Sequence, residues 1–151
     1  MSASAFPPSQ TELSETFEEL EDWEERYEFL LDVGRELPKL DAAAQTEQNR
    51  VHGCMSTVWL QIDSVDSKDP EVTDSVIEIS ADSDSMIVRG LIVILLSLYQ
   101  HKTAEAALSV DPEAFFGSLG LNQHLSPNRR NGLYSMVGRI RELSVKLAAG
   151  A

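Results

Sequence analysis

The chain holds a single cysteine, Cys54. No internal disulfide can form, and an iron-sulfur scaffold, which takes several thiolate ligands, cannot be built from the thiols of this chain alone. An unpaired thiol suits a reducing compartment. Met1 to Gln10 contains no basic residue followed by an apolar core, so it does not read as a secretion signal. A cytoplasmic location is the resulting expectation. Basic residues are also scarce, at 12 against 25 acidic ones for a formal charge of -13. That balance repels phosphate backbones and anionic headgroups, so nucleic acid and membrane surfaces are not expected partners. The most apolar stretch, Met86 to Tyr99, is interrupted by Arg89 and falls short of the roughly 18 uncharged residues a membrane span needs.

Other signatures are missing as well. No glycine-rich phosphate loop, no serine-nucleophile elbow and no His-Glu-x-x-His pattern occurs. The three histidines, His52, His101 and His124, lie far apart without ligand-type spacing. Neither a resident metal nor a bound cofactor is expected.

What remains has the composition of an ordinary soluble domain: 151 residues, 42% of them hydrophobic, are enough for one compact core. Residues 1–10, with their prolines and serines, read as a flexible tail, and 11–149 as a single domain. Charge is uneven, at -9 over residues 1–50, -8 over 51–117 and +4 over 118–151. A basic C-terminal island on an acidic molecule suits docking to a protein with complementary patches, although clustered charge is more often a solvated helix face.

Helical patterns occupy both ends. Ser9 with Glu12 forms a capping box ahead of Leu13, Phe17 and Leu20. Asp22 with Glu25 repeats it ahead of a stripe of Trp23, Tyr27, Leu30, Leu31 and Leu37 that Pro38 ends. The middle changes period: Val58, Leu60 and Ile62 alternate with Thr57, Trp59 and Gln61 as in a strand, and Val72, Val76, Ile77 and Ile79 form the returning strand after a turn at Ser64 to Glu71. A connection this short makes the strands antiparallel neighbours. The length of Met86 to Tyr99 favours a buried central helix over a strand, with Asp82, Ser83, Asp84 and Ser85 as cap candidates. Thr103 and Asp111-Pro112 open two short helices, Gly117 and Gly120 end that region, and Ser126-Pro127 opens the last helix. The expected class is α+β, with helices from both chain ends packed on a small antiparallel sheet.

Cys54 is the leading site candidate. A lone cysteine is more often a buried apolar residue than a reactive one. Here, however, Gly53 allows a sharp turn that lifts the next side chain, and Ser56 and Thr57 supply hydroxyls for the loop backbone. His52 is either a holder of the thiol proton or a spacer. Arg129 and Arg130 sit in the first turn of a helix, where cations face the positive end of the dipole. They are either solvated or form an arginine fork for a partner. For at least one of Asp82 and Asp84, helix capping is the expected role.

Together these residues resemble the SufE family. The resemblance rests on Trp23-Glu24-Glu25-Arg26-Tyr27, Gly34, Leu37-Pro38, the segment GCMSTVWL from Gly53, Asp82-Ser83-Asp84, Arg89-Gly90-Leu91, Leu125-Ser126-Pro127, and Arg129 with Asn131-Gly132-Leu133, and it runs from Phe17 to Ile140. It departs at Met55, where the family usually has glutamine. The resemblance implies a fold similar to the scaffold IscU and a sulfur acceptor working beside a pyridoxal-phosphate cysteine desulfurase of the SufS or CsdA type. Cys54 would take persulfide sulfur and pass it to an iron-sulfur assembly scaffold, as a transfer partner rather than a stand-alone enzyme. Cofactor chemistry would stay with the desulfurase. His52, Gly53 and Ser56 would support the thiol loop, and Asp84 and Arg129 map to positions linked with the partner interface and that loop. Independently of the resemblance, an exposed lone thiolate is vulnerable to oxidation and wrong exchange, so the thiol is expected to be tucked against apolar neighbours in the free protein and to swing out on docking. The competing reading from the thiol alone is a redox sensor or peroxide-reactive protein, and a module that stimulates its partner by binding alone is a third.

Overall fold

A computed structural model describes residues 6–150. The elements run α1 (Gln10–Glu19), α2 (Trp23–Glu36), two 3₁₀ turns (Ala42–Ala44 and Glu47–Asn49), β1 (Val58–Val65), β2 (Val76–Ser83), α3 (Met86–Tyr99), α4 (Ala104–Leu108), α5 (Pro112–Ser118), α6 (Leu121–His124) and α7 (Pro127–Gly150). This is the α+β arrangement of helices around a two-stranded antiparallel sheet. Residues 1–5 of the expected tail lie outside the described residues.

Local chemistry explains the boundaries. The capping box at Ser9 is complete, with Glu12 N donating to Ser9 Oγ and Ser9 N to Glu12 Oε1, each at 3.1 Å. Asp22 caps α2 through Glu25 N at 2.9 Å, while the Glu25 carboxylate reaches back to Glu21 N rather than to Asp22. Thr103 and Asp111 cap α4 and α5 as expected. The returning strand begins at Val76, not Val72, because Asp69 organises a turn that accepts from Glu71 N and Val72 N. α6 was not anticipated: Gly120, at φ +77°, reverses the chain and starts a further turn of helix.

The free edge of β2 is closed by the segment after α3. Ile77 N donates to Lys102 O and His101 N to Ile77 O. The Gln100 carboxamide completes this edge, accepting from Ile79 N at 2.7 Å and donating to Ile79 O at 3.1 Å, as a strand would.

α3 is the centre of the core, buried at every position except Met86 and Ser97. Each of its large aliphatic side chains contributes about 1.5–3 kcal/mol by leaving water. α2 crosses α3 so closely that a Cβ on Gly90 would stand 2.2 Å from Leu30 O, which only glycine avoids.

Arg89 enters this core with its partners. Its guanidinium pairs with Asp82 and donates to Gly34 O, at 3.0 Å, and to Leu37 O. The Asp82 carboxylate also accepts from Leu40 N at 3.1 Å and Ser83 N at 2.8 Å. Of the four cap candidates Ser85 is the one that caps α3, which corrects the expectation that at least one of Asp82 and Asp84 does so. Asp82 lies within β2, Asp84 bonds to Thr57, and Ser85 caps α3 by accepting from Val88 N.

Removing one member of a buried ion pair leaves the other charged and uncompensated. Asp82→Ala is therefore expected to lower unfolding free energy by about 3–5 kcal/mol, read as a shift in the urea midpoint, with a change below about 1 kcal/mol counting against this account.

Candidate functional site

The segment between the 3₁₀ turn Glu47–Asn49 and β1 forms a loop pinned at both ends. On one side Val51 N donates to Val58 O at 2.9 Å, next to a bridge between Arg50 and Trp59. On the other, Thr57 N donates to Asp84 Oδ1 at 3.1 Å and Asp84 N to Thr57 O at 3.2 Å. Residues 52–56 arch between these anchors. Main-chain bonds to Asp84 hold the loop, rather than the Ser56 and Thr57 hydroxyls expected from sequence. Gly53 takes φ +95° and rests against α7, where a Cβ would meet Ser135 Oγ at 2.5 Å.

Cys54 is half-buried at the apex of this arch. Its thiol points to Gly132 O, 3.6 Å from the sulfur, a weak donor contact to the α7 backbone. The sulfur lines a cavity of about 300 Å³ whose apolar wall includes Val88, Leu91, Leu133 and Met136 and whose polar side includes Ser126 and Arg129. Burial pushes the Cys54 thiol up from its ordinary value, opposed by the smaller pull of the Arg50 guanidinium.

Of the other residues singled out, Ser56 and Arg129 line the same cavity, and Asp84 holds the loop's far end. Arg129 also lies over the Tyr27 ring, 5.7 Å from its centroid. Arg130 does not join it as a fork; Arg130 Nη1 donates to Asn122 O at 2.6 Å and ties α7 to α6. His52 is exposed and its Nε2 lies 3.1 Å from Glu47 Oε2, so its ring partner is a carboxylate and not the thiol. His124 stacks on Trp23 at 4.8 Å between centroids. Among the described residues no His, Cys, Asp and Glu side chains gather into a metal-holding group, and no helix is long and apolar enough to cross a membrane.

Sequence reasoning named Gly132 only within the family pattern and did not foresee its place, or that of Arg50, beside the thiol. Gly132 is the seat of the sulfur, and a glycine within the first turns of a long helix was the available signal, since it costs helix stability. Arg50 acts on the thiol through space, which no local pattern reports.

The fold and site define a class: an α+β protein that presents one half-covered thiol on a pinned loop beside the start of a long helix. Comparison with known proteins resolves the class. The SufE family model, described as an iron-sulfur metabolism associated domain, matches residues 11–144. The chain is 40% identical over 146 residues to an uncharacterised SufE-like protein of Rhizobium etli, covering 97% of this chain and 95% of that one. It is 37% identical over 131 residues to an uncharacterised SufE-like protein of Rhizobium meliloti, covering 86% and 90%. The chain belongs to the SufE family. The solution structure of a hypothetical protein from Thermus thermophilus shares the fold at a TM-score of 0.71 and 22% identity, over 96% of this chain and 99% of that one.

A thiol held neutral by burial reacts slowly, because the thiolate is the nucleophile. Iodoacetamide is therefore expected to alkylate native Cys54 at pH 7 more slowly than the same residue in the urea-unfolded chain. The native rate should rise with pH through a midpoint displaced upward, and coincident profiles would contradict the buried placement.

Proposed function

We propose that this protein is a sulfur acceptor and activator for a pyridoxal-phosphate cysteine desulfurase, carrying sulfur on Cys54 to an iron-sulfur assembly scaffold. Family membership supports the association with iron-sulfur metabolism. The observation that carries the rest is the placement of the chain's only thiol at the apex of an anchored loop over a partly apolar cavity. A carrier needs its sulfur sheltered between encounters and reachable during them.

The transfer balances without an external oxidant. The Cys54 thiolate attacks the outer sulfur of the desulfurase persulfide, the S–S bond of the donor breaks, and the donor cysteine leaves as a thiolate while Cys54 retains the sulfane sulfur. Arg129 and the first turn of α7 border the cavity, so an anionic sulfur there meets positive charge. Asp84 fixes the loop register, and Arg129 with the basic end of the chain offers a face to an acidic partner surface. His52, turned toward Glu47, takes no part as a base in this arrangement. The peroxide-sensor alternative is disfavoured by the thiol's burial and upward shift, since such sensors keep an exposed thiolate.

Incubation with a cysteine desulfurase and cysteine is expected to add about 32 Da to Cys54, one sulfur atom, as read by intact-mass spectrometry. Cys54→Ser is expected to show no gain and to lose stimulation of desulfurase turnover. A gain of about 16 Da per oxygen under peroxide alone, without sulfur loading, would favour the sensor. Undiminished stimulation by Cys54→Ser would reduce the protein to a binding module.

A further inference from the structure

Beside the half-covered thiol stands the opposite case. Met55 is 79% exposed, the most exposed of the large apolar side chains among the described residues, and it lines the same cavity as Cys54. This exposed apolar side chain stands at the edge of a recess that offers Val88, Leu91, Leu133 and Met136 as contacts. The two sulfur-bearing residues are adjacent in a loop tied at both ends, at Val51 by Val58 and at Thr57 by Asp84.

With both ends fixed, residues 52–56 change state by rotating about the chain direction, with Gly53 at φ +95° as the pivot. In this loop Cys54 is half-buried against Gly132 O while Met55 beside it is exposed, so a turn that brings residue 54 out can carry residue 55 inward. We propose that Met55 is a positioning residue that exchanges places with Cys54: as the thiol turns outward, the Met55 thioether enters the cavity and holds the loop in its outward state. The inference rests on the reading of Cys54 as a sulfur that must reach a partner.

Methionine suits the role because it is unbranched and rotates about three side-chain bonds, which lets it fill an irregular recess that a branched residue would enter only in part. The exchange also keeps the apolar wall covered in both states. Without it, outward rotation would bare Leu91, Leu133 and Met136 to water while the thiol is away, and the outward state would be correspondingly rare. Met86, also exposed at 42%, is not among the cavity's lining residues and serves as an internal reference.

The free protein, labelled with [methyl-¹³C]methionine, tests this without a desulfurase. Modification of Cys54 with a trimethylammonium-bearing methanethiosulfonate places on the sulfur a cation that both the apolar wall and Arg129 of the cavity disfavour. The relaxation of the Met55 methyl by a soluble gadolinium chelate is then expected to fall several-fold, with Met86 unchanged. An unaltered or increased effect at Met55 overturns the exchange. A second measurement separates exchange from a simple lid: Met55→Ala is expected to slow alkylation of native Cys54 roughly tenfold by depopulating the outward state, and Met55→Leu to restore much of the rate. A lid would give acceleration on Met55→Ala, which also overturns the proposal. Sulfur loading of the wild-type chain by a desulfurase is scored separately, so failure of the exchange leaves that result standing, and failure of loading is visible without any Met55 variant.

Discussion

The buried pair of Asp82 and Arg89 is the constraint on which the site's architecture depends. Arg89 gathers Gly34 O from the last turn of α2 and Leu37 O just beyond it, while Asp82 takes Leu40 N, so the end of α2, the end of β2 and the start of α3 meet at one point. Two residues beyond Asp82, Asp84 bonds the main chain of Thr57 and fixes where the thiol loop rejoins β1. Buried ion pairs are weak evidence for net stability, because removing two charges from water offsets most of their attraction. What this one supplies is register: the pair is satisfied only when three elements arrive together, and the loop anchor inherits that placement.

A second constraint is the close approach of α2 and α3. Gly34 and Gly90 let the two backbones touch, with a Cβ on Gly34 falling 2.7 Å from Met86 O. The contact brings Val88 and Leu91 to the thiol cavity from the α3 side, opposite Gly132, Leu133 and Met136 from α7. The cavity is thus a seam between two helices that the chain reaches far apart in sequence, and the loop of Cys54 is laid across it.

Much of this was legible from residue order. Period, capping residues and proline positions identified α1, α2, β1, α3 and α7, and the GCMSTVWL segment marked Cys54 and Gly53. Local patterns failed where long-range partners decided the outcome. Asp82 has the residue type and position of a cap, yet its distant partners Arg89 and Leu40 draw it into the core. His52 stands two residues from the thiol, but Glu47 is the partner its ring meets. Gly132 and Arg50 bear on Cys54 only after folding brings α7 and the 3₁₀ turn alongside it, which no spacing rule in the chain encodes.

The Gln100 carboxamide that bonds both main-chain groups of Ile79 has a consequence beyond the fold. A small sheet with a bare border is a template on which further chains can add. By giving β2 a side chain in place of another strand, the molecule occupies the Ile79 main-chain groups with which an added chain would pair, and it does so without lengthening the sheet.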